Sequence, residues 1–358
     1  MTARIREDLD SIPPYVPGKN FPGAIKLASN ETTFGPLPSV STAVAEAVEN
    51  ANRYPDNGSV ELVTALAESL GVAPANVAAG CGSVAICQEL VSITCLPGDE
   101  VLYAWRAFEA YPVVTKVAGA TEVTVPLDDR HTHDLDAIAA AITPQTRLIF
   151  VCNPNNPTGT AVGRRALERF LDAVPSEILV VIDEAYIEYV RIPEDDRADG
   201  VELGRTRPNV ITLRTFSKAY GLAGLRVGYA VGDPSVIRSL SKAHVPFSVS
   251  RVAQAAAIAS LEARAELLDR TDAVVAERQR ISAALTGAGY RVADSEANFV
   301  WLPLGERAVP FATTLAESNV LVRPFAGDGV RITIGDPHEN DAFLAIATKP
   351  DVLSQFTG

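Results

Sequence analysis

Short apolar runs alternate with stretches of helical spacing through the middle of the chain. Residues 77–80, 100–104, 121–125, 147–152, 178–183 and 209–215 are rich in Val and Ile and read as buried strands. Between several of them, residues 83–96, 135–142 and 164–174 repeat apolar side chains at helical spacing. Strands that are apolar on both faces and joined by crossover helices predict an α/β fold with a mostly parallel sheet covered by helices. The pattern assigns this large domain to residues 46–247.

The flanks follow other rules. The first forty residues carry Pro13, Pro14, Pro17, Pro22, Pro36 and Pro38. Proline fixes φ and removes a donor, so an extended arm is expected over residues 1–45 rather than a helix. After residue 247 come two long helical patterns, 250–268 and 271–288. Alternating strands at 298–302, 320–323 and 330–334 follow, then a helix near 339–348. This predicts a smaller α+β domain at 248–358, joined by the arm, with a cleft at the domain boundary.

Composition narrows the function. A chain of 358 residues suggests about two domains, and 47% apolar with 21% charged residues argues against disorder. Lys+Arg 31 against Asp+Glu 44 gives a net charge of −13. Nucleic acid is therefore an unexpected partner, and an anionic substrate has to be met by local arginines. No apolar run approaches ~18 residues, so no membrane span is expected. The start carries no hydrophobic signal segment, and a cytoplasmic protein is expected. Cys81, Cys87, Cys95 and Cys152 fit no zinc-ligand spacing and read as reduced core thiols. His131 and His133 share a polar loop with Asp128, Asp129 and Asp134; without a second ligand cluster this reads as a solvated loop, and no metal is expected.

In open α/β sheets ligands sit beyond the carboxyl ends of the strands, where three segments fall. One runs from Thr215 through Ser217 and Lys218 to Arg226. A lysine at a strand end inside a cleft is costly to bury as a charge, and its neutral amine is a nucleophile towards carbonyls. Two hydroxyls and a guanidinium beside it suit a phosphate. A phosphorylated cofactor bearing a carbonyl meets both needs; alone, the lysine would read as a solvated loop residue. Asp183 ends an unbroken apolar strand, so it is either a helix cap or the partner of a cation such as a protonated pyridine nitrogen. Tyr186, three residues on, could reach a ring oxygen or simply be half-buried. The third segment, Asn153-Pro-Asn-Asn-Pro-Thr-Gly159, is a proline-punctuated turn that holds amide side chains at the cleft floor. Gly80-Cys-Gly-Ser-Val-Ala85 fits a dinucleotide fingerprint, but a nicotinamide enzyme leaves the other segments unexplained. Backbone amides at a helix N-terminus hold a single phosphate equally well.

Taken together, in this order, these segments resemble the fold-type I pyridoxal-phosphate aminotransferases, in the branch of histidinol-phosphate and aromatic amino acid aminotransferases. The likeness runs from Leu27-Ala-Ser-Asn-Glu31 to Val330-Arg-Ile-Thr-Ile-Gly335. It implies that Lys218 holds pyridoxal 5'-phosphate as a Schiff base, that Asp183 pairs with the pyridine nitrogen, and that Tyr186 and Asn156 hydrogen-bond the ring oxygen. Ser83, Val84, Thr215, Ser217 and Arg226 would bind the phosphate, and Phe108 would stack on the ring. Tyr54 would reach the phosphate in a neighbouring subunit, implying a homodimer. Arg331 would grip the substrate anion, with Arg323 as a second candidate and Tyr15 helping to close the pocket.

The resemblance implies a two-stage, ping-pong transamination between an amino acid and a 2-oxo acid such as 2-oxoglutarate, with Lys218 moving the proton. Tyr103-Ala-Trp-Arg-Ala-Phe-Glu-Ala-Tyr111 and the segment from Asn30 to Pro38 look most like actinobacterial members acting on aromatic amino acids. Histidinol phosphate is the alternative amino donor. Outside enzymology, such a fold could serve a regulator that only binds the cofactor; no residues remain for the appended module that a regulator needs.

Overall fold

A computed structural model describes residues 3, 5–12 and 21–357 and gathers the apolar runs into two sheets. In chain order the strands are β1 (Ile25–Leu27), β2 (Val77–Gly80), β3 (Glu100–Trp105), β4 (Thr121–Pro126), β5 (Thr146–Cys152) and β6 (Leu179–Asp183). They continue with β7 (Val210–Thr215), β8 (Gly228–Val231), β9 (Phe299–Leu302), β10 (Val320–Phe325) and β11 (Gly329–Thr333). The larger sheet has seven strands in the order β2-β8-β7-β6-β5-β3-β4. Five of these, β7 to β4 along that order, run parallel, while β8 is antiparallel to both neighbours.

Strand alternation divides the core into two layers. Val101, Tyr103, Phe150 and Val181 face the helices Ser83–Thr94 and Ala110–Ala118. Leu102, Ile149, Val180 and Ile182 face the helix Arg164–Ala173. The register pairs Cys152 with Asp183 and Asp183 with Leu213, so β5 and β6 end at one level and β7 runs two residues further, to Thr215. Asp183 shares the parity of Val181, which points it at the first helical layer. Glu184 turns the other way and is buried against Arg214, whose Nε donates to its Oε2 at 2.9 Å. Parity thus separates two adjacent buried acids into a cavity-facing one and a structural one.

The smaller sheet has the order β1-β10-β11-β9. β1 joins it parallel to β10, and the rest is antiparallel. Arg323 on β10 lies directly opposite Arg331 on β11, which places both guanidiniums on one face.

Several boundaries differ from the sequence pattern. The arm is not extended throughout: residues Glu7–Ser11 form a 3-10 turn, and a helix runs Pro38–Val48. Proline at the first helical position fits a helix start, because its missing N–H is unpaired there anyway. Pro13, Pro14 and Pro17 lie outside the described residues. The long helices run Arg251–Glu262 and Arg264–Gly287, so the break falls at Ala263 rather than near residue 269. Strand β8 and the helices Val60–Leu70, Ala110–Ala118, Pro234–Ala243 and Pro350–Phe356 had no expectation attached to them. Among the described residues no helix is long and apolar enough to cross a membrane.

Candidate active site

A cavity of about 640 Å³ opens at the carboxyl ends of β5, β6 and β7 and is closed on one side by β10 and β11. Its wall contains Ser83, Val84, Phe108, Asn156, Asp183, Tyr186, Thr215, Ser217, Lys218, Arg226, Arg323 and Arg331. Every candidate site residue is therefore gathered there except two. Tyr54 is 78% exposed and stacks on Phe247 at 4.5 Å, away from this cavity. Tyr15 lies outside the described residues.

Lys218 follows β7, and burial, with the Arg331 guanidinium nearby, lowers its pKa to about 8. Its Nζ donates to Ser29 O at 3.4 Å and stands 5.8 Å from the centre of the Tyr186 ring. A lysine so depressed keeps an appreciable neutral fraction near pH 7, as a nucleophilic amine requires. Asp183 is buried, and desolvation raises its carboxyl to about 6 even though the Tyr111 hydroxyl donates to Oδ2 at 2.8 Å. Its other oxygen, Oδ1, is buried with no protein partner. An unsatisfied carboxylate oxygen costs several kcal/mol unless a cationic donor meets it, so this atom defines a place for one.

At the opposite end, Gly82 caps the helix Ser83–Thr94 with φ 78°, and no side chain caps the amides. A Cβ at Gly82 would overlap the Arg226 guanidinium, which glycine alone avoids. Arg226 Nη1 donates to Ser217 Oγ at 3.3 Å, and the Thr215 hydroxyl donates to Ser217 Oγ at 3.0 Å. Uncapped amides, two hydroxyls and a guanidinium converge as a phosphate cradle does. The donor set thus fits a phosphorylated pyridine aldehyde: a cradle at one end, an amine in the middle and an unpaired carboxylate oxygen opposite.

Arg331 Nη1 donates to Asn156 Oδ1 at 2.5 Å, and Nη2 to Ala28 O at 2.8 Å. Asn156 comes from the turn whose Asn153–Pro154 and Asn156–Pro157 bonds are cis. Arg323 reaches the cavity already bonded, its Nη2 donating to Glu109 Oε2 at 3.0 Å. Phe108 lines the cavity and meets Tyr111 edge-on at 5.6 Å.

Sequence reasoning missed two residues. Tyr111, fully buried and stacked on Phe150 at 4.2 Å, holds the Asp183 carboxylate. Only the spatial neighbourhood of two distant strands and one helix reveals it. Asn30 donates through Nδ2 to the Tyr186 hydroxyl at 2.9 Å and is itself held by Thr333. It sits in the left-handed region at φ 54°, which Asn tolerates and which only the folded chain shows. The two loop histidines part company. His133 is buried, bonded to Asn155 Oδ1 at 3.1 Å, and lowered to about 4 by desolvation, whereas His131 lines a separate cavity of about 590 Å³. His133 is therefore a neutral packing residue rather than part of a solvated loop. Cys87, Cys95 and Cys152 are buried free thiols, pushed up by desolvation, and Cys81 is half-buried.

A mostly parallel sheet with a second, smaller sheet, and a lysine facing a carboxylate at the strand ends, define a fold-type I α/β enzyme. The family of class I and II aminotransferases matches residues 22–346. The chain is 67% identical over 357 residues to an aromatic amino acid aminotransferase of Nocardia farcinica, covering 99% of this chain and 100% of that one. It is 67% identical to a protein of the same description in Rhodococcus jostii, covering 99% and 98%. The histidinol-phosphate aminotransferase of Sinorhizobium meliloti, solved in complex with pyridoxal-5'-phosphate, superposes with a TM-score of 0.88 at 31% identity, over 99% of both chains. This chain belongs to the class I and II aminotransferase family, and it is an aminotransferase.

Proposed function

We propose that this enzyme uses pyridoxal 5'-phosphate to move the amino group of an aromatic L-amino acid to a 2-oxo acid such as 2-oxoglutarate, in two half-reactions. The observation that carries the cofactor is the buried, partnerless Asp183 Oδ1 across one cavity from the depressed amine of Lys218. When bound, the cofactor supplies the electron sink for breaking the substrate Cα–H bond. Lys218 Nζ would take the proton from the donor's Cα and deliver it to the cofactor's aldehyde-derived carbon, and would carry a proton the other way when the 2-oxo acid is aminated, as its lowered pKa suits a base near neutral pH. Asp183 would keep a proton on the ring nitrogen, while Tyr186 and Asn156 would orient the ring oxygen. Ser83, Val84, Thr215, Ser217 and Arg226 would hold the phosphate, and Phe108 would stack on the ring. Arg331, fixed by Asn156 and Ala28, takes the substrate carboxylate.

Aromatic donors are favoured by the two relatives at 67% identity and by the apolar wall of Phe108, Ala110, Val113 and Val114. Histidinol phosphate is the second reading, because the Sinorhizobium enzyme shares the fold over its full length. Comparing kcat/KM for phenylalanine, tyrosine and histidinol phosphate decides between them; a large preference for histidinol phosphate would overturn the aromatic assignment. We also place Tyr54 at the phosphate of a second copy, in a homodimer whose site it completes; its 78% exposure supports this. Tyr54→Ala is expected to weaken cofactor retention in the dimer, with sedimentation reporting the assembly.

A further inference from the structure

Two arginines enter the cavity from adjacent positions on β10 and β11, and their guanidiniums lie 5.8 Å (Arg323) and 5.7 Å (Arg331) from the Phe325 ring centre. Their acceptors differ in charge. Arg331 is held by Asn156 Oδ1 and Ala28 O, both neutral. Arg323 is held by the Glu109 carboxylate at 3.0 Å, where the chain enters the helix Ala110–Ala118. Both members of this pair line the cavity beside the apolar wall of Phe108, Ala110, Val113 and Val114.

We infer that Glu109 is a specificity-determining residue: by neutralising Arg323 it makes this end of the cavity refuse a second anionic group on the substrate and accept an uncharged side chain. The inference rests on the amino acid aminotransferase reading above. Any amino acid brings one carboxylate, and Arg331 serves it. A side-chain carboxylate or phosphate would have to approach Arg323 against the like charge of Glu109, or displace it. A flat apolar ring meets no such opposition and covers the wall. The pair is partly exposed, with side-chain exposures of 21% and 41%, so solvent screens it and the discrimination is modest, about three- to fivefold.

The test titrates holoenzyme calorimetrically with two non-reacting ligands, glutarate with two carboxylates and 3-phenylpropanoate with one carboxylate and a ring. Glu109→Gln is expected to raise the ratio of glutarate to phenylpropanoate affinity about three- to fivefold, and Glu109→Ala to do the same. Adding Arg323→Gln to either variant is expected to abolish that gain. A ratio that moves less than twofold in both variants overturns the inference, as does a gain that survives without Arg323. Failure of the wild type to transaminate phenylalanine strikes the functional reading instead, and leaves the two-ligand ratio readable.

Discussion

Removing one hydroxyl tests how Asp183 is kept ionised. Tyr111→Phe deletes the donor to Asp183 Oδ2 at 2.8 Å and leaves the ring stacked on Phe150 at 4.2 Å, so packing is retained. A hydrogen bond to a charged acceptor is worth about 1.5–3 kcal/mol. At 1.36 kcal/mol per pKa unit, its loss raises the carboxyl by roughly 1–2 units. Burial brings Asp183 to about 6 before a cation meets Oδ1, and such a cation would lower it, so the variant carboxyl titrates above the wild-type one by that increment. A protonated carboxyl cannot stabilise a protonated ring nitrogen, and catalysis then fades on the acid side. The assay is the pH profile of kcat/KM for phenylalanine on wild type and variant. The acid limb is expected to move up by about 1–2 units, with the loss confined to that limb and the alkaline plateau retained. Superimposable acid limbs would refute the reasoning. So would an equal loss at every pH, which would mean that the hydroxyl matters only for packing.

Three further outcomes follow from the site. Lys218→Ala is expected to abolish turnover while still binding cofactor non-covalently, and borohydride reduction of the wild type followed by peptide mass mapping is expected to place the adduct on Lys218; an adduct elsewhere removes the assigned base. Gly82→Ala pushes a Cβ into the Arg226 guanidinium at a φ of 78°, so cofactor affinity, read by absorbance during dialysis, is expected to fall at least tenfold. His244 bonds Glu89 through Nδ1 at 2.5 Å and Ala79 O through Nε2 at 2.7 Å, and the Glu89 contact raises its pKa. A folded pKa above the ordinary value of about 6.5 means that this stabilisation is complete below that pH and is lost as pH rises through the raised value. The Tm difference between wild type and His244→Gln is therefore expected to be largest near pH 6 and to shrink by pH 9; a pH-independent difference would show that the imidazole is neutral.

Local pattern alone sufficed for β2 to β7: β5, β6 and β7 are buried on both faces and so read as apolar runs, while the edge strand β4 alternates. It marked Lys218, Asp183 and Arg226 only in combination, since alone the lysine reads as a solvated loop residue and the aspartate as a helix cap. Strand β8 escaped because Gly228–Val231 is short and is held by antiparallel pairing to β7 and β2, which no local period encodes. The helix at Pro38–Val48 escaped because a proline that breaks a helix interior also opens a helix, and position decides which. Tyr111 as the keeper of Asp183, Asn30 behind Tyr186, and Glu109 on Arg323 were decided only by tertiary structure. Each joins residues that sequence distance leaves unrelated, and a hydrogen bond depends on where two atoms finish in space. The chain by itself therefore determined which chemistry this protein carries; the tertiary contacts around the cavity decided how those groups are charged, oriented and matched.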